Sequence, residues 1–188
     1  MRDMHPRFGG RAAAWLFKPI ATHRFLNART YVKHGDEHGI YFITEWLSNW
    51  LSVQLGPLFY GLPYRFAKLD YRHTHENNYL HGMVETPRQG QLVYEARFAS
   101  DARCCPCQND SLDEFLLERY TAYTSRGTMR RTFRVWHPPW PQMRAQVSVV
   151  DHSLLTSAWP WFRTAKYVGA NYSPGLCDVW MGRSRFVK

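Results

Sequence analysis

Cysteine is scarce in this chain, with four in 188 residues. That excludes the disulfide framework on which small secreted domains rely, and free thiols in a reducing compartment are expected. Long apolar runs are also missing: Ala12 to Phe17 is short and soon interrupted by Lys18 and Pro19, far below the ~18 residues of a membrane helix. Neither a leader nor a membrane span is expected, and the cytoplasm is the expected location. There are no internal repeats, low-complexity tracts or linkers, and 188 residues suffice for one domain of ordinary size. Clustered charge is lacking as well. The formal charge of +9 is spread along the chain, and its densest run is Met129-Arg130-Arg131-Thr132-Phe133-Arg134. Nucleic acid is therefore not an expected partner, although a polyanion-binding surface stays an alternative because summed positive potential attracts polyanions.

What the chain does have is aromatic residues, 16% of the total. Their area and polar tips suit ligand pockets as well as bare cores. Residues 1–24 read as an irregular lead-in, with His5-Pro6 and Gly9-Gly10. From Leu26 the chain alternates: Leu26, Ala28, Thr30 and Val32 oppose Asn27, Arg29 and Tyr31, which is strand periodicity. Gly35 to Gly39 is expected to turn into a second strand, Ile40 to Trp46, through a loop longer than the tightest types. Leu47 to Leu58 has helical spacing, with Ser48 or Asn49 to cap it and Gly56-Pro57 to disturb it. Strands follow at Arg65 to Arg72, Tyr79 to Glu85 across the turn Thr74 to Asn78, and Gln91 to Phe98. Ser111-Leu112-Asp113-Glu114 fits a capping box opening a helix to about Tyr123. Thr128 to Trp136 and Met143 to Val150 are expected strands on either side of His137-Pro138-Pro139-Trp140-Pro141, where missing N–H donors stop ladder pairing. A last strand is expected at Leu176 to Met181. Many strands and two helices point to an α+β, mostly β domain.

The metal-binding residue types do not assemble into a known spacing. His73-Thr74-His75-Glu76 with His81 matches no closed zinc pattern, and His34 and His38 fare no better. Cys104-Cys105-Pro106-Cys107 would need Cys177 or a distant histidine as fourth ligand, so a solvated loop is the expectation. No metal and no cofactor are expected.

Three segments, Leu26-Asn27-Ala28-Arg29-Thr30-Tyr31-Val32, Phe59-Tyr60-Gly61-Leu62-Pro63-Tyr64-Arg65 and His137-Pro138-Pro139-Trp140-Pro141, together with Glu118-Arg119-Tyr120, resemble the YqjF-like family. That family is a bacterial domain of unknown function in the acetoacetate-decarboxylase-like superfamily, and the resemblance runs from about Phe25 to Trp180. It implies an acetoacetate-decarboxylase-like curved β-barrel with a few short helices over residues 25–188. Members usually carry more chain before the first of these strands, so the resemblance implies either a truncated barrel or a true start that lies upstream. The decarboxylases themselves show Asn-Glu, a glycine, then an aromatic residue and Pro-Lys-Lys. Here Asn49 is followed by Trp50, the glycine is Gly56, and Leu62-Pro63 precedes Tyr64 and Arg65. In those enzymes the first lysine forms a Schiff base. Tyr64 has no amine, and Arg65 stays protonated and is a poor nucleophile. Lys68, expected on the same strand face as Tyr64, is the nearest candidate substitute; a solvent-facing role is expected for it.

The expected function is binding of a small organic acid or similar apolar anion. Arg29, Glu45, Tyr64, Arg65 and Arg119 are the polar groups expected at such a site. Arg29, mid-strand, needs a compensating carboxylate, and Glu45 is the obvious partner, with Glu118 as the other choice. His137 is a candidate acid or base that more often would fix its proline-rich corner. The enzyme alternative is a lyase, isomerase or hydrolase with Tyr64 as proton donor and Arg29 or Arg65 holding a carboxylate. The ligand's identity and the oligomeric state are not legible.

Overall fold

A computed structural model describes residues 5–6, 24–74, 78–99, 101–176 and 179–187. The chain divides into two compact units. The first comprises Met1–Phe66, Pro106–Trp140 and Gly175–Lys188, and the second Ala67–Cys105 and Pro141–Pro174. Most of the expected lead-in lies outside the described residues, as do positions 75–77 of the expected turn, with His75 and Glu76, and Cys177 within the last expected strand.

The first unit carries β1 (His5–Pro6), β2 (Phe25–His34), β3 (Glu37–Leu47), α1 (Trp50–Phe59) and β4 (Tyr64–Phe66). The second carries β5 (Lys68–Thr74), β6 (Tyr79–Thr86) and β7 (Gly90–Arg97). The chain returns to the first unit with α2 (Leu112–Leu117), β8 (Thr121–Arg126) and β9 (Met129–Trp136), and to the second with β10 (Met143–Asp151), α3 (Ser153–Ala158) and β11 (Ala170–Tyr172). It ends in the first with β12 (Trp180–Met181) and β13 (Arg185–Phe186).

In the first unit the strand order is β1-β12-β9-β8-β3-β2, with β13 on β9 and β4 on β3. Three of these pairings are parallel, β1 with β12, β3 with β8 and β3 with β4, and the last two make β3 the seam through which separate stretches of chain join one sheet. The β2–β3 hairpin turns tightly, with His34 paired to Glu37 and Gly35 at φ +60. The longer loop expected over Gly35 to Gly39 is corrected here: glycine accepts the left-handed backbone a two-residue turn requires, and Glu37 and His38 join the ladder. One irregularity interrupts this hairpin. Ala28 pairs with Thr44 while Arg29 pairs with Phe42, leaving Ile43 as an extra residue on β3. Such a bulge resets side-chain alternation. Glu45 thereby shares a face with Phe42 and Ile40, across the ladder from Asn27, Arg29 and Tyr31.

That face is the core of the unit. Ile40, Leu62, Ala122 and Phe133 are buried on it, and Tyr31, Phe42, Tyr60, Tyr64, Val135 and Met181 pack against them. The ring of Phe42 stacks on Phe133 at 6.4 Å, and Tyr60 meets Phe133 edge-on at 5.0 Å. Such pairs contribute about 0.5–1.5 kcal/mol beyond area burial. Asn49 caps α1 as expected, its Oδ1 accepting from Ser52 N at 3.2 Å. At the other end Arg131 Nη1 donates to the Leu58 and Phe59 carbonyls at 2.9 and 2.8 Å, satisfying groups the helix leaves unpaired.

Two further expectations are corrected. The strand expected from Arg65 to Arg72 breaks at Ala67 into β4 and β5, which belong to different sheets. Lys68 is therefore not on Tyr64's strand; it is exposed and lies 3.8 Å from Glu85. The helix expected to reach Tyr123 stops at Leu117, where Glu118 turns to φ −94, ψ 69. Beyond it Thr121, Tyr123 and Thr124 are β-branched or aromatic and pair in β8. The capping box holds in shifted form: Ser111 Oγ accepts from Glu114 N at 3.1 Å, while the Glu114 carboxylate accepts from Asp110 N at 2.6 Å.

The second unit is a five-stranded sheet in the order β11-β10-β7-β6-β5. Leu80, Ala96, Met143 and Tyr172 form its core, with Phe98 stacked on Tyr172 at 5.4 Å. Asp151 starts α3 by accepting from Ser153 N at 2.7 Å, a helix the periodicity did not disclose because it has fewer than two turns.

A Cβ on Gly39 would lie 2.5 Å from the Thr121 carbonyl oxygen and against the Tyr123 ring. Backbone at a strand seam cannot step aside alone. Gly39→Ala is expected to destabilise the protein by about 1–3 kcal/mol, read as a lower denaturant midpoint at unchanged m-value. An unchanged midpoint would show that the β3–β8 seam is loose.

Candidate functional site

A carboxylic acid on the core face of a sheet needs explanation, because an ionised carboxylate loses far more hydration on burial than one hydrogen bond returns. Glu45 is in that position. It is buried, and Asn27, its cross-strand neighbour, donates Nδ2–H to its Oε1 at 2.9 Å. Burial raises its pKa to about 8, against smaller opposing effects of the Asn27 hydrogen bond and the positive charge of Arg29. At neutral pH the group therefore holds its proton and can donate as well as accept. The Oδ1 of Asn27 is itself buried and makes no hydrogen bond among the described residues. It is a ready acceptor.

Tyr64 opens β4 directly opposite Glu45 in the parallel pairing, and the Glu45 N–H donates to the Pro63 carbonyl at 3.1 Å. Gly56 of α1 makes room for it: any Cβ there would collide with the Tyr64 ring. The phenol is held well above its ordinary pKa by burial, then by Glu45 and Tyr60. It is a hydrogen-bond donor rather than a base. Burial also raises the pKa of Tyr60.

Arg29 lies on the same sheet face as Glu45, but the expected ion pair is not formed among the described residues. Its Nη2 donates to the Leu116 carbonyl at 2.7 Å, and Tyr31 Oη donates to that same oxygen at 2.8 Å. The end of α2 supplies the acceptor, so the guanidinium reaches Glu45 only through its charge. Arg65, paired with Trp46 in register, projects from the opposite face and is exposed. It is thus separated from the Glu45–Tyr64 pair.

Arg119 and His137 belong to a second cluster. Arg119 Nη1 donates to the Glu118 carbonyl at 2.9 Å, and its guanidinium sits 4.4 Å from the Phe115 ring centroid. His137 is buried, donating Nδ1–H to the Pro138 carbonyl at 2.8 Å, with its ring stacked on Tyr120 at 4.8 Å. Glu118 accepts from Tyr120 Oη at 2.7 Å and from Trp140 N at 2.8 Å, and lies 3.9 Å from His137 Nδ1. The backbone around three prolines is short of donors, and this carboxylate collects those that remain. The cluster builds the corner.

The candidate residues thus fall into two groups, with Asn27 the member that sequence reasoning missed. Its signal was present: it stands two residues before Arg29, on the same face of an alternating strand.

A raised carboxyl pKa has a linked effect on stability. With a folded value of about 8 against 4.5 unfolded, Glu45 binds a proton more tightly in the native state. Its contribution is fully present below pH 4.5 and is lost as pH rises through about 8. Glu45→Gln keeps the shape and removes the titration. The variant's melting temperature is expected to gain on that of the parent protein between mildly acidic pH and about pH 9, by the equivalent of a few kcal/mol. Parallel pH profiles would show that Glu45 ionises as an ordinary surface acid.

Comparison with known proteins agrees with this architecture. The DUF2071 family model, described as an uncharacterized conserved protein, matches residues 7–175. The chain is similar to the uncharacterized protein YqjF of Bacillus subtilis (strain 168), 27% identical over 124 residues, which are 66% of this chain and 50% of that protein. In structure it is similar to acetoacetate decarboxylase of Legionella pneumophila, with a TM-score of 0.52 at 11% identity, covering 88% of this chain and 62% of that one. It is also similar to the enduracididine biosynthesis enzyme MppR complexed with the condensation product of pyruvate and imidazole 4-carboxaldehyde, with a TM-score of 0.50 at 10% identity, covering 77% of this chain and 60% of that one. The chain therefore spans half of the curated relative's length and less than two thirds of these structures. It belongs to the DUF2071 family, and its mostly β fold is acetoacetate-decarboxylase-like.

Proposed function

We propose that the first unit binds a small organic acid on the face shared by Asn27, Arg29, Glu45 and Tyr64, without forming a covalent imine. The observation carrying this reading is the buried Glu45, kept protonated to about pH 8 and set opposite the Tyr64 phenol. Two neutral O–H donors beside one guanidinium suit a carboxylate: the cation balances its charge, and the donors meet its oxygens without repulsion. The aromatic rings of Tyr31, Phe42, Tyr60 and Phe133 would accept the apolar remainder. The structural likeness to a protein complexed with a pyruvate condensation product is in keeping with this ligand class.

The absence of imine chemistry is supported by residue type. By the sequence resemblance Tyr64 and Arg65 take the places of the decarboxylases' two lysines, and the described lysines Lys33, Lys68 and Lys166 are exposed. A Schiff-base lysine is activated by enclosure in an apolar pocket or beside another cation, and none of these three is buried.

Titration calorimetry with a panel of short α-keto and β-keto acids tests the reading. Saturable binding is expected near neutral pH, weakened about tenfold or more in Arg29→Gln or Tyr64→Phe, which corresponds to one lost charge-assisted hydrogen bond. Binding should also weaken as pH rises through about 8, where Glu45 becomes an anion. Borohydride reduction in the presence of the same acids should leave every lysine unmodified. A reduced adduct on any lysine would overturn the non-covalent reading, and absence of binding across the panel would overturn the ligand class.

The Glu45–Tyr64 pair also favours a second reading, a proton-transferring lyase or isomerase with Tyr64 as donor. Turnover abolished in Tyr64→Phe while binding is retained would select it.

A further inference from the structure

The outer surface of α1 inverts the usual pattern of a surface helix. No residue in Trp50–Phe59 is charged, and the side turned inward is small, with Ser52 buried and Gly56 against Tyr64. The outward stripe instead carries Trp50, Gln54 and Leu58, at the i, i+4, i+8 positions of one helix face, with exposed Leu51 beside them. Trp50 is 64% exposed, Leu58 58% and Phe59 57%. Scattered exposed apolar residues are ordinary, but a whole helical stripe of them marks an interaction surface.

The stripe continues onto the sheet. Arg131, which donates to the Leu58 and Phe59 carbonyls, lies 5.1 Å from the ring centroid of Phe186 on β13, and Phe186 is 68% exposed. Exposed Arg126 and Met129 pair across the tip of the β8–β9 hairpin, in the alternation that holds Arg131, so the register turns them to the same side. Arg130 and Arg185, each next in its strand to one of these residues, are exposed on the opposite side of the sheet. Charge of the other sign is lacking here: α1 holds no charged residue, the β8–β9 hairpin and β13 hold no Asp or Glu, and Arg126 and Arg131 lie on this side.

We propose that this face, α1 with the β8–β9 hairpin tip and β13, docks onto the surface of an anionic lipid bilayer. Its chemistry distinguishes that occupant from two others. A second copy of the chain, related by a two-fold axis, would bring the same arginines against each other. A nucleic acid would use the arginines but would leave the aliphatic Leu51 and Leu58 in water. A bilayer satisfies both parts: Trp, Phe and Leu enter the boundary between headgroups and acyl chains, and arginines flank them among anionic headgroups. The surface is independent of the Glu45 site, so either can fail without the other.

Co-sedimentation of the full chain with vesicles tests this, using phosphatidylcholine alone and phosphatidylcholine mixed with phosphatidylserine. Binding is expected to the mixed vesicles only, and to fall steeply as salt is raised. Trp50→Ser and Arg126→Glu are each expected to weaken it about tenfold or more. Circular dichroism and thermal unfolding should be unchanged, since these side chains are exposed. Three results would overturn the proposal: no sedimentation with anionic vesicles at low salt, a concentration-dependent dimer that Trp50→Ser dissolves, or binding to DNA and to vesicles that is equally insensitive to Trp50→Ser.

Discussion

Placing a carboxyl group on the apolar face of a sheet costs several kcal/mol if the group is ionised, and much less if it keeps its proton. Glu45 sits under that constraint, and the surrounding structure is arranged around it. Ile43 is displaced from the ladder so that position 45 faces inward. Asn27 is placed directly across to share a hydrogen bond, and Gly56 leaves the space in which the Tyr64 ring closes the third side. Arg29 is near enough to be felt electrostatically, yet its hydrogen bond goes to the end of α2, so it does not draw the proton away entirely.

The local grammar of the chain was largely legible where one periodicity ran long enough to be read. The alternation from Leu26 to Val32 identified β2 and the face that carries Arg29, and Ser48 or Asn49 marked the start of α1, where Asn49 is the cap. The Pro138–Pro139 corner likewise marked the end of β9. Legibility failed where two periodicities abut. Tyr120 and Tyr123 continue an apparent helical stripe from Leu112, but Thr121 and Thr124 are β-branched and belong to a strand whose partners include one far away in sequence. The break at Ala67 was hidden for a similar reason, since both sides of it are extended and only sheet membership differs.

The candidate site was legible in its residue types and less so in its pairings. Arg29, Glu45 and Tyr64 share one face, which only the bulge at Ile43 brings about for Glu45, whereas Arg65 points away because adjacent strand residues must. The Arg29–Glu45 ion pair failed for a reason no local pattern contains: the Leu116 carbonyl is delivered by a helix end 87 residues later in the chain. Arg119 and His137 were grouped with the others on residue chemistry, but the three prolines around them create a separate demand for hydrogen bonds, which Glu118 meets.

The displaced Ile43 also divides β3 into two halves whose inward and outward residues follow separate counts. The half from Glu37 to Phe42 keeps its partnership with β8, while the half ending at Leu47 keeps its own with β4. Loss of that single residue from the chain would remove the bulge: Phe42, Thr44 and Glu45 would then follow one regular alternation opposite Arg29, Ala28 and Asn27, and both halves would retain their facing. Position 43 is thus the place where β3 can lose one residue and keep both of its faces, whereas a residue lost elsewhere along the strand would turn one half over.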